Sequence, residues 1–228
     1  TGGWGFLWRG GFTDDGTLFD FRVQVGTVVL GPDMTVRDTL EPSARPDRDE
    51  PLFFSGPNRQ GGRSVMSIPY LGQPTWEVGP GGRIWTTPTR PYRFDVLTPG
   101  GDTIRVVERE YAPVPVSAAE RDSAEARLRR RFAPSAELDL SRIPETKPAV
   151  ETFFFDAERN LWARPYLPGD STGMAFDVFD PDGRYLGRVA SPVRLRRWPD
   201  PVVRGGRLYG VTVDDLDVPY VVGLEIER

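Results

Sequence analysis

Three aspartates near the end of the sequence are the residues best placed for chemistry. Asp214, Asp215 and Asp217 stand almost side by side, and carboxylate oxygens are the ligands that Ca²⁺ prefers. The spacing differs from that of an EF-hand loop, which needs a longer acidic repeat and a closing Glu. Two interpretations follow: a calcium site, or an acidic turn between two strands. We favour the turn and keep the three residues as the predicted metal ligands.

The sequence contains no His and no Cys, which limits the catalytic mechanisms that the protein could use. Ser-His-Asp and Cys-His catalysis, thiolate chemistry and zinc sites that depend on His are therefore excluded. An enzyme would need carboxylates, Arg, Tyr or a bound hard cation. Asn58 and Asn160 are the only asparagines, and Asn160 fits a hairpin turn. No catalytic set stands out, so we favour a protein without catalysis and leave the enzyme interpretation open.

Charge and hydropathy exclude two further classes of protein. The formal net charge of the 228 residues is −4, and acidic and basic residues are mixed along the chain, whereas a nucleic-acid-binding domain is usually basic. No run approaches the roughly 20 apolar residues of a transmembrane helix. The sequence opens at Thr1 without an initiator Met, so we expect a processed or truncated start. Membrane association would then require a partner or an N-terminal anchor.

Repeated turns predict an all-β fold. The 25 glycines and 23 prolines form about a fifth of the chain, which favours short elements over long helices. A turn followed by an aliphatic and then an aromatic residue recurs four times, and hairpins follow it. The pairs are Leu18–Phe19, Ile84–Trp85, Leu161–Trp162 and Leu208–Tyr209. We predict one domain over residues 1–228, with blade-like units at about 4–40, 65–111, 150–190 and 196–227.

Two long connections separate these units. Residues 41–64 are rich in Pro, Asp, Arg and Gly and predict an exposed loop. Residues 112–148 contain the one good helix, which Ser117 and Glu120 begin as a capping box. Its apolar face consists of Ala124, Leu128 and Phe132. Four arginines stand near its C-terminal end: Arg127, Arg129, Arg130 and Arg131. We favour a lid over one end of a blade with its arginines in water; the alternative is a docking element or a contact with an anionic surface.

Three segments carry a family resemblance. They are Asp156–Trp162, Phe176–Gly187, and Leu208–Val211 leading into Asp214–Val221. They resemble blades of the bacterial six-bladed β-propellers, which are NHL-related and common as exported or lipid-anchored proteins; Arg159 stands where the blade motif usually has Gly. The likeness covers about residues 65–228. It implies a β-propeller of the six-bladed type with about four blades in this chain, and an extracytoplasmic location in a bacterium.

The sequence thus leads to a non-catalytic, extracytoplasmic β-propeller that serves as a binding or scaffolding module, including as an accessory subunit of a larger assembly. Its partner would be a protein, a small ligand or a glycan, and no nucleic acid. One alternative is a metal-dependent lactonase or hydrolase on the same fold, because propellers of the gluconolactonase type build a central metal site from Glu, Asn and Asp. The other is a glycan-binding propeller. We expect no cofactor, with Ca²⁺ at the three aspartates as the exception.

Overall fold

The structure is a computed structural model, and it describes residues 10–12, 18–22, 26–40, 53–72, 75–87, 90–98, 100–168 and 173–227. The first sheet contains β1 (Gly10–Phe12), β2 (Leu18–Arg22), β3 (Gly26–Leu30) and β4 (Val36–Leu40). A separate hairpin follows, made of β5 (Phe53–Pro57) and β6 (Arg63–Ser67). The second sheet contains β7 (Thr75–Val78), β8 (Ile84–Thr87), β9 (Arg93–Leu97) and β10 (Thr103–Glu108).

Helix α1 (Ala118–Arg131) lies between the second and third sheets in the sequence. The third sheet contains β11 (Val150–Phe155), β12 (Leu161–Pro165), β13 (Met174–Phe179) and β14 (Tyr185–Ser191). The last sheet contains β15 (Val202–Arg204), β16 (Arg207–Val213) and β17 (Pro219–Glu225). No helix among the described residues is both long enough and apolar enough to cross a bilayer.

Each large sheet is an antiparallel meander, in which every strand pairs with the next one along the chain. The first strands of successive sheets lie side by side, because β1 contacts β7 and β7 contacts β11. Sheets that stack through their first strands are the arrangement of propeller blades around an axis. The fold is therefore all-β and propeller-like, as the repeated turns predicted.

Aromatic side chains fill the space between the second and third sheets. Phe94, Phe153 and Phe179 are almost completely buried, and the rings of Phe94 and Phe153 meet edge to face at 5.2 Å. Edge-to-face pairs of this kind stabilise a core beyond the area that they bury, by about 1 kcal/mol each. A second cluster, which includes Trp162 and Leu208, joins the third sheet to the last one. The sheets are thus held together by packing across their faces.

A hairpin occupies part of the predicted loop between the first two units. The residues 41–64 are not simply an exposed loop, because β5 and the start of β6 lie there. Phe54 and Gly56 face inward on alternate positions of β5, so the hairpin has a buried face that the loop-like composition concealed. Residues 41–52 and residues 4–9 of the first predicted unit lie outside the described residues. The division into one domain of four blade-like units stays a prediction.

The meander separates two kinds of connection. The links β7–β8, β9–β10, β11–β12 and β13–β14 are tight turns of about five residues, and they share one end of the sheets, called here the turn end. Because neighbouring strands run antiparallel, the alternate links emerge at the opposite end. The links at this end range from the five residues between β8 and β9 to the long stretch that contains α1, and this end is called the connection end. Connections that a rigid scaffold positions at one end are where proteins usually place recognition.

Candidate binding surface at the connection end

Helix α1 begins where the sequence predicts. The hydroxyl of Ser117 accepts a hydrogen bond from the Glu120 backbone N–H at 3.3 Å, and the Ser117 backbone N–H donates to the Glu120 carboxylate at 3.0 Å. This reciprocal pair satisfies two backbone N–H groups that the first helical turn would leave without partners. The predicted capping box is confirmed.

The only lysine of the sequence anchors this same end of the helix. Lys147 is buried, and its Nζ lies 2.6 Å from Oε1 of Glu120 and 3.3 Å from the carbonyl oxygen of Leu167. Burial tends to raise the pKa of Glu120, but the hydrogen bonds from Lys147 and Ser117 outweigh it and hold the pKa below its ordinary value. Because Lys147 precedes β11 and Leu167 follows β12, the ion pair ties α1 to the third sheet.

The apolar face of α1 packs on the hairpin of β5 and β6 rather than on the end of a blade. Leu128 and Phe132 join Phe54, Ile68 and Ile143 in a separate buried cluster. The expectation of a lid over a blade was therefore wrong about the partner of the helix. The reason is that β5 and β6 supply an apolar face of their own, against which Leu128 and Phe132 of the helix pack.

Beside this cluster runs an open groove between β6 and one flank of the helix. Its volume is about 510 Å³, and it is lined by Val65, Met66, Arg127, Arg130 and Arg131. Val65 is 51 % exposed, and the three arginines are exposed. Across the described ranges, none of these three guanidinium groups forms an ion pair, whereas Arg129 on the same helix pairs with a glutamate at 3.3 Å. The groove combines an apolar floor with uncompensated positive charge.

Further polar side chains lie near the N-terminal half of the helix. Burial, and then the charge of Glu151, raise the pKa of Tyr166 to about 12. Glu151 itself pairs with Arg164 at 2.9 Å, and burial lowers the pKa of that guanidinium. Burial and the nearby Glu120 raise the pKa of Tyr70. Both tyrosines therefore stay protonated near neutral pH, and Arg164 and Glu151 are paired with each other.

A buried carboxylate lies between the second and third sheets. Asp177 is completely buried, and it accepts hydrogen bonds from the Tyr92 hydroxyl at 2.8 Å and from Arg109 at 2.6 Å. Arg188 adds two more, at 2.8 Å and 3.1 Å. Burial and the charge of Asp177 raise the pKa of Tyr92 strongly. Both carboxylate oxygens accept hydrogen bonds from neighbouring side chains. Asp177 therefore links the second and third sheets and is not positioned as a catalytic base.

The predicted metal ligands lie in the turn that joins β16 to β17. Oδ1 of Asp214 accepts the backbone N–H groups of Leu216 and Val218, each at 2.9 Å, and Asp217 has a left-handed backbone with φ 59°. The turn interpretation therefore has direct support. Within the part of the chain that the structure describes, no three acidic side chains are grouped so as to hold a metal ion. Calcium binding at Asp214, Asp215 and Asp217 stays a prediction.

Both asparagines serve their own turns. The side-chain oxygen of Asn58 accepts the backbone N–H of Gly62 at 2.9 Å in the β5–β6 turn. Asn160 donates to Asp156 at 2.9 Å in the β11–β12 turn, where the sequence placed it.

The groove was missed at the sequence level because β6 was not predicted there, although the run of arginines on α1 was a usable signal.

No protein-family model matches the sequence, and no curated protein matches it significantly. Among solved structures, the chain is similar to a streptogramin B lyase at 12% identity, covering 95% of this chain and 68% of that one with a TM-score of 0.35. It is similar to a virginiamycin B lyase from Staphylococcus aureus at 12% identity, covering 96% and 85% with a TM-score of 0.33. A protein of unknown function from Bacteroides caccae gives 12% identity, 81% and 67% coverage, and a TM-score of 0.30. At these scores the likenesses carry no argument about activity.

Proposed function

We propose that the chain is a non-catalytic binding or scaffolding module that holds a protein partner at its connection end. The observation that carries this proposal is the groove of Val65, Met66, Arg127, Arg130 and Arg131. The buried cluster that contains Leu128 and Phe132 holds this part of the helix against the β5–β6 hairpin, and the Glu120–Lys147 ion pair fixes the first turn of the same helix. Arg and Met side chains are enriched in protein–protein interfaces, so exposed arginines that have no acidic partner among the described residues, beside Val65 and Met66, favour recognition.

The proposal includes the setting that the resemblance of residues 156–162 and 176–187 implies: a six-bladed, NHL-related propeller outside the cytoplasm of a bacterium, including as an accessory subunit. Support for a binding role over a catalytic one comes from the roles that the described polar residues already have. Asp177 is fully hydrogen-bonded between sheets, and Asn58 and Asn160 serve turns.

Site-specific photo-cross-linking in cells that make the protein tests this role. A benzophenone amino acid replaces Val65 at the connection end or Asp102 at the turn end, both of which are exposed positions. We expect one recurrent protein adduct from position 65 and none from position 102. Equal adducts from both positions, or no adduct from position 65, would overturn the proposal. Elemental analysis of the purified protein runs beside it, since a stoichiometric divalent metal would favour the metal-dependent lactonase or hydrolase instead.

A glycan-binding role is the second candidate, and one exposed aromatic residue favours it. Trp198 is 69 % exposed in the link between β14 and β15, near the exposed Arg194 and Arg196. An exposed indole ring is a suitable platform for the apolar face of a sugar. A glycan array with the Trp198→Ala variant tests it: sugar binding that the variant loses supports this role, and an array without specific signals removes it.

A further inference from the structure

We propose that the groove beside β6 binds an extended acidic segment of a partner protein, through backbone pairing at Val65 and through Arg127, Arg130 and Arg131. This inference rests on the proposed binding function and names the chemistry of its partner. Three observations carry it: the direction of the Val65 backbone groups, the unpaired guanidinium groups, and the sign of the charge on the rest of the chain.

The pairing register of the hairpin sets the direction of the Val65 backbone. The Asn58 N–H donates to the Gly62 carbonyl at 2.8 Å, so this pair is hydrogen-bonded. Bonded and non-bonded pairs alternate along an antiparallel ladder, and Val65 pairs with Ser55 three steps further on. Val65 is therefore in a non-bonded pair, and its N–H and C=O point away from β5. Among the described residues, no backbone group hydrogen-bonds to Val65 there.

The arginines match the side-chain spacing of a strand. Arg127, Arg130 and Arg131 share one flank of α1 because they are three and four positions apart. Arg127 and Arg131 are separated by about 6 Å along the helix axis. Alternate side chains of an extended segment are about 6.7 Å apart on one face. A segment that runs along the helix with acidic residues at alternate positions would thus place one carboxylate near each of these two guanidinium groups.

The charge of the whole molecule favours a short acidic peptide over a large polyanion. The formal net charge is −4, so the chain apart from these three arginines is net negative and offers no overall attraction to an extended anionic bilayer or nucleic acid. A short segment that lies in the groove is within a Debye length, about 8 Å, of the arginines and is screened from more distant charges. The donor and acceptor of Val65 also fit a peptide backbone, which supplies both partners in one ladder.

Fluorescence anisotropy tests the inference with a labelled octapeptide that alternates Glu and Val. We expect saturable binding that the matching Lys and Val peptide does not show. Arg127→Glu and Arg130→Glu should each weaken binding about tenfold, whereas Arg184→Glu, an equal charge change at the turn end, should leave it unchanged. Val65→Pro removes the outward N–H, and it breaks no hydrogen bond to β5 because that N–H does not pair with β5. It should weaken binding about fivefold, while circular dichroism shows an unchanged helix content.

Three results would overturn the inference. One is equal binding by the groove variants and Arg184→Glu, which would mean that the arginines do not contact the peptide. Another is unchanged binding by Val65→Pro in a folded protein. The third is tighter arginine-dependent binding to phosphatidylglycerol vesicles or to a single-stranded oligonucleotide. If the peptide does not bind but cross-linking from position 65 persists, the acidic-segment inference is refuted and the proposed binding function stands. If neither peptide binding nor cross-linking is observed, the proposed function is refuted as well.

Discussion

Replacing Glu120 by Ala isolates the contact that holds the first turn of α1 in place. The substitution removes the carboxylate that pairs with the buried Nζ of Lys147 at 2.6 Å. It also removes the acceptor for the Ser117 backbone N–H. Among the described residues, the Lys147 ammonium then retains the Leu167 carbonyl as its one hydrogen-bond acceptor, at 3.3 Å. Glu125→Ala is the matched control, because Glu125 lies on the same helix and pairs with a more exposed arginine.

The expected loss for Glu120→Ala follows from the burial of the two partners. Breaking a fully buried ion pair costs about 3–5 kcal/mol, and the 26 % exposure of the Glu120 side chain reduces this to about 2–3 kcal/mol because water screens the pair. The lost half of the capping box adds about 0.5–1 kcal/mol. The sum is about 3 kcal/mol, or roughly a 150-fold change in an equilibrium constant. Glu125→Ala should cost about 0.3–0.5 kcal/mol.

Native-state hydrogen exchange of peptides from α1 measures this opening. We expect exchange of the helix amides to be about 150-fold faster in Glu120→Ala and nearly unchanged in Glu125→Ala, with the β13 amides protected in both. The pKa of Glu120 lies below its ordinary value of 4.5, so the contribution of the pair is complete above pH 4.5 and is lost as the pH falls through the folded pKa. Equal exchange of α1 in the two variants would refute the assigned role of the ion pair.

Three further measurements test other parts of the structure. Tyr92→Phe should cost about 1–2 kcal/mol in urea unfolding, because Asp177 loses a hydrogen bond. Since the folded pKa of Tyr92 is raised from 10.0, this tyrosine stabilises the fold fully below pH 10 and less above it, so the variant should lose stability less steeply at alkaline pH. Asp214→Ala should cost about 1 kcal/mol and Asp215→Ala under about 0.5 kcal/mol, with no effect of added CaCl₂ on Tm; a calcium-dependent Tm that either variant abolishes would instead establish the metal site. Arg159→Gly should raise the free energy of unfolding by about 0.5–1 kcal/mol, because Arg159 has φ 68°, a left-handed conformation that glycine adopts without strain.

The sequence was most informative where local chemistry determines local structure. The Leu161–Trp162 pair after its turn marks β12, and Ser117 with Glu120 marks the first turn of α1. Arg159 was noticed because a blade motif usually has Gly there, and its positive φ gives the physical reason. These features depend on residues within about five positions of one another, so a single sequence is enough to predict them.

The candidate site could not be predicted because it depends on contacts between distant segments. Val65 and Arg130 meet only after the hairpin has packed on the helix. Lys147 pairs with Glu120, which is 27 residues away in the sequence, and Asp177 is hydrogen-bonded to Tyr92, which is 85 residues away. The aspartates near residue 215 are close together in the sequence, and the favoured interpretation of a turn agrees with the hydrogen bonds of Asp214; calcium binding there stays a prediction. Local spacing was thus enough for the turn but could not show the contacts between distant segments.

The burial of the only lysine gives the protein a built-in chemical reporter. Lys147 is 4 % exposed while Glu120 holds it, so amine-specific reagents find this side chain shielded in the folded protein. Any event that lifts the helix, such as a partner drawing α1 away or an acid pulse, would uncover one amine at one known position. The fraction of the peptide around residue 147 that carries the mass of the reagent would then report the fraction of molecules whose helix has opened, and no residue would have to be engineered for it.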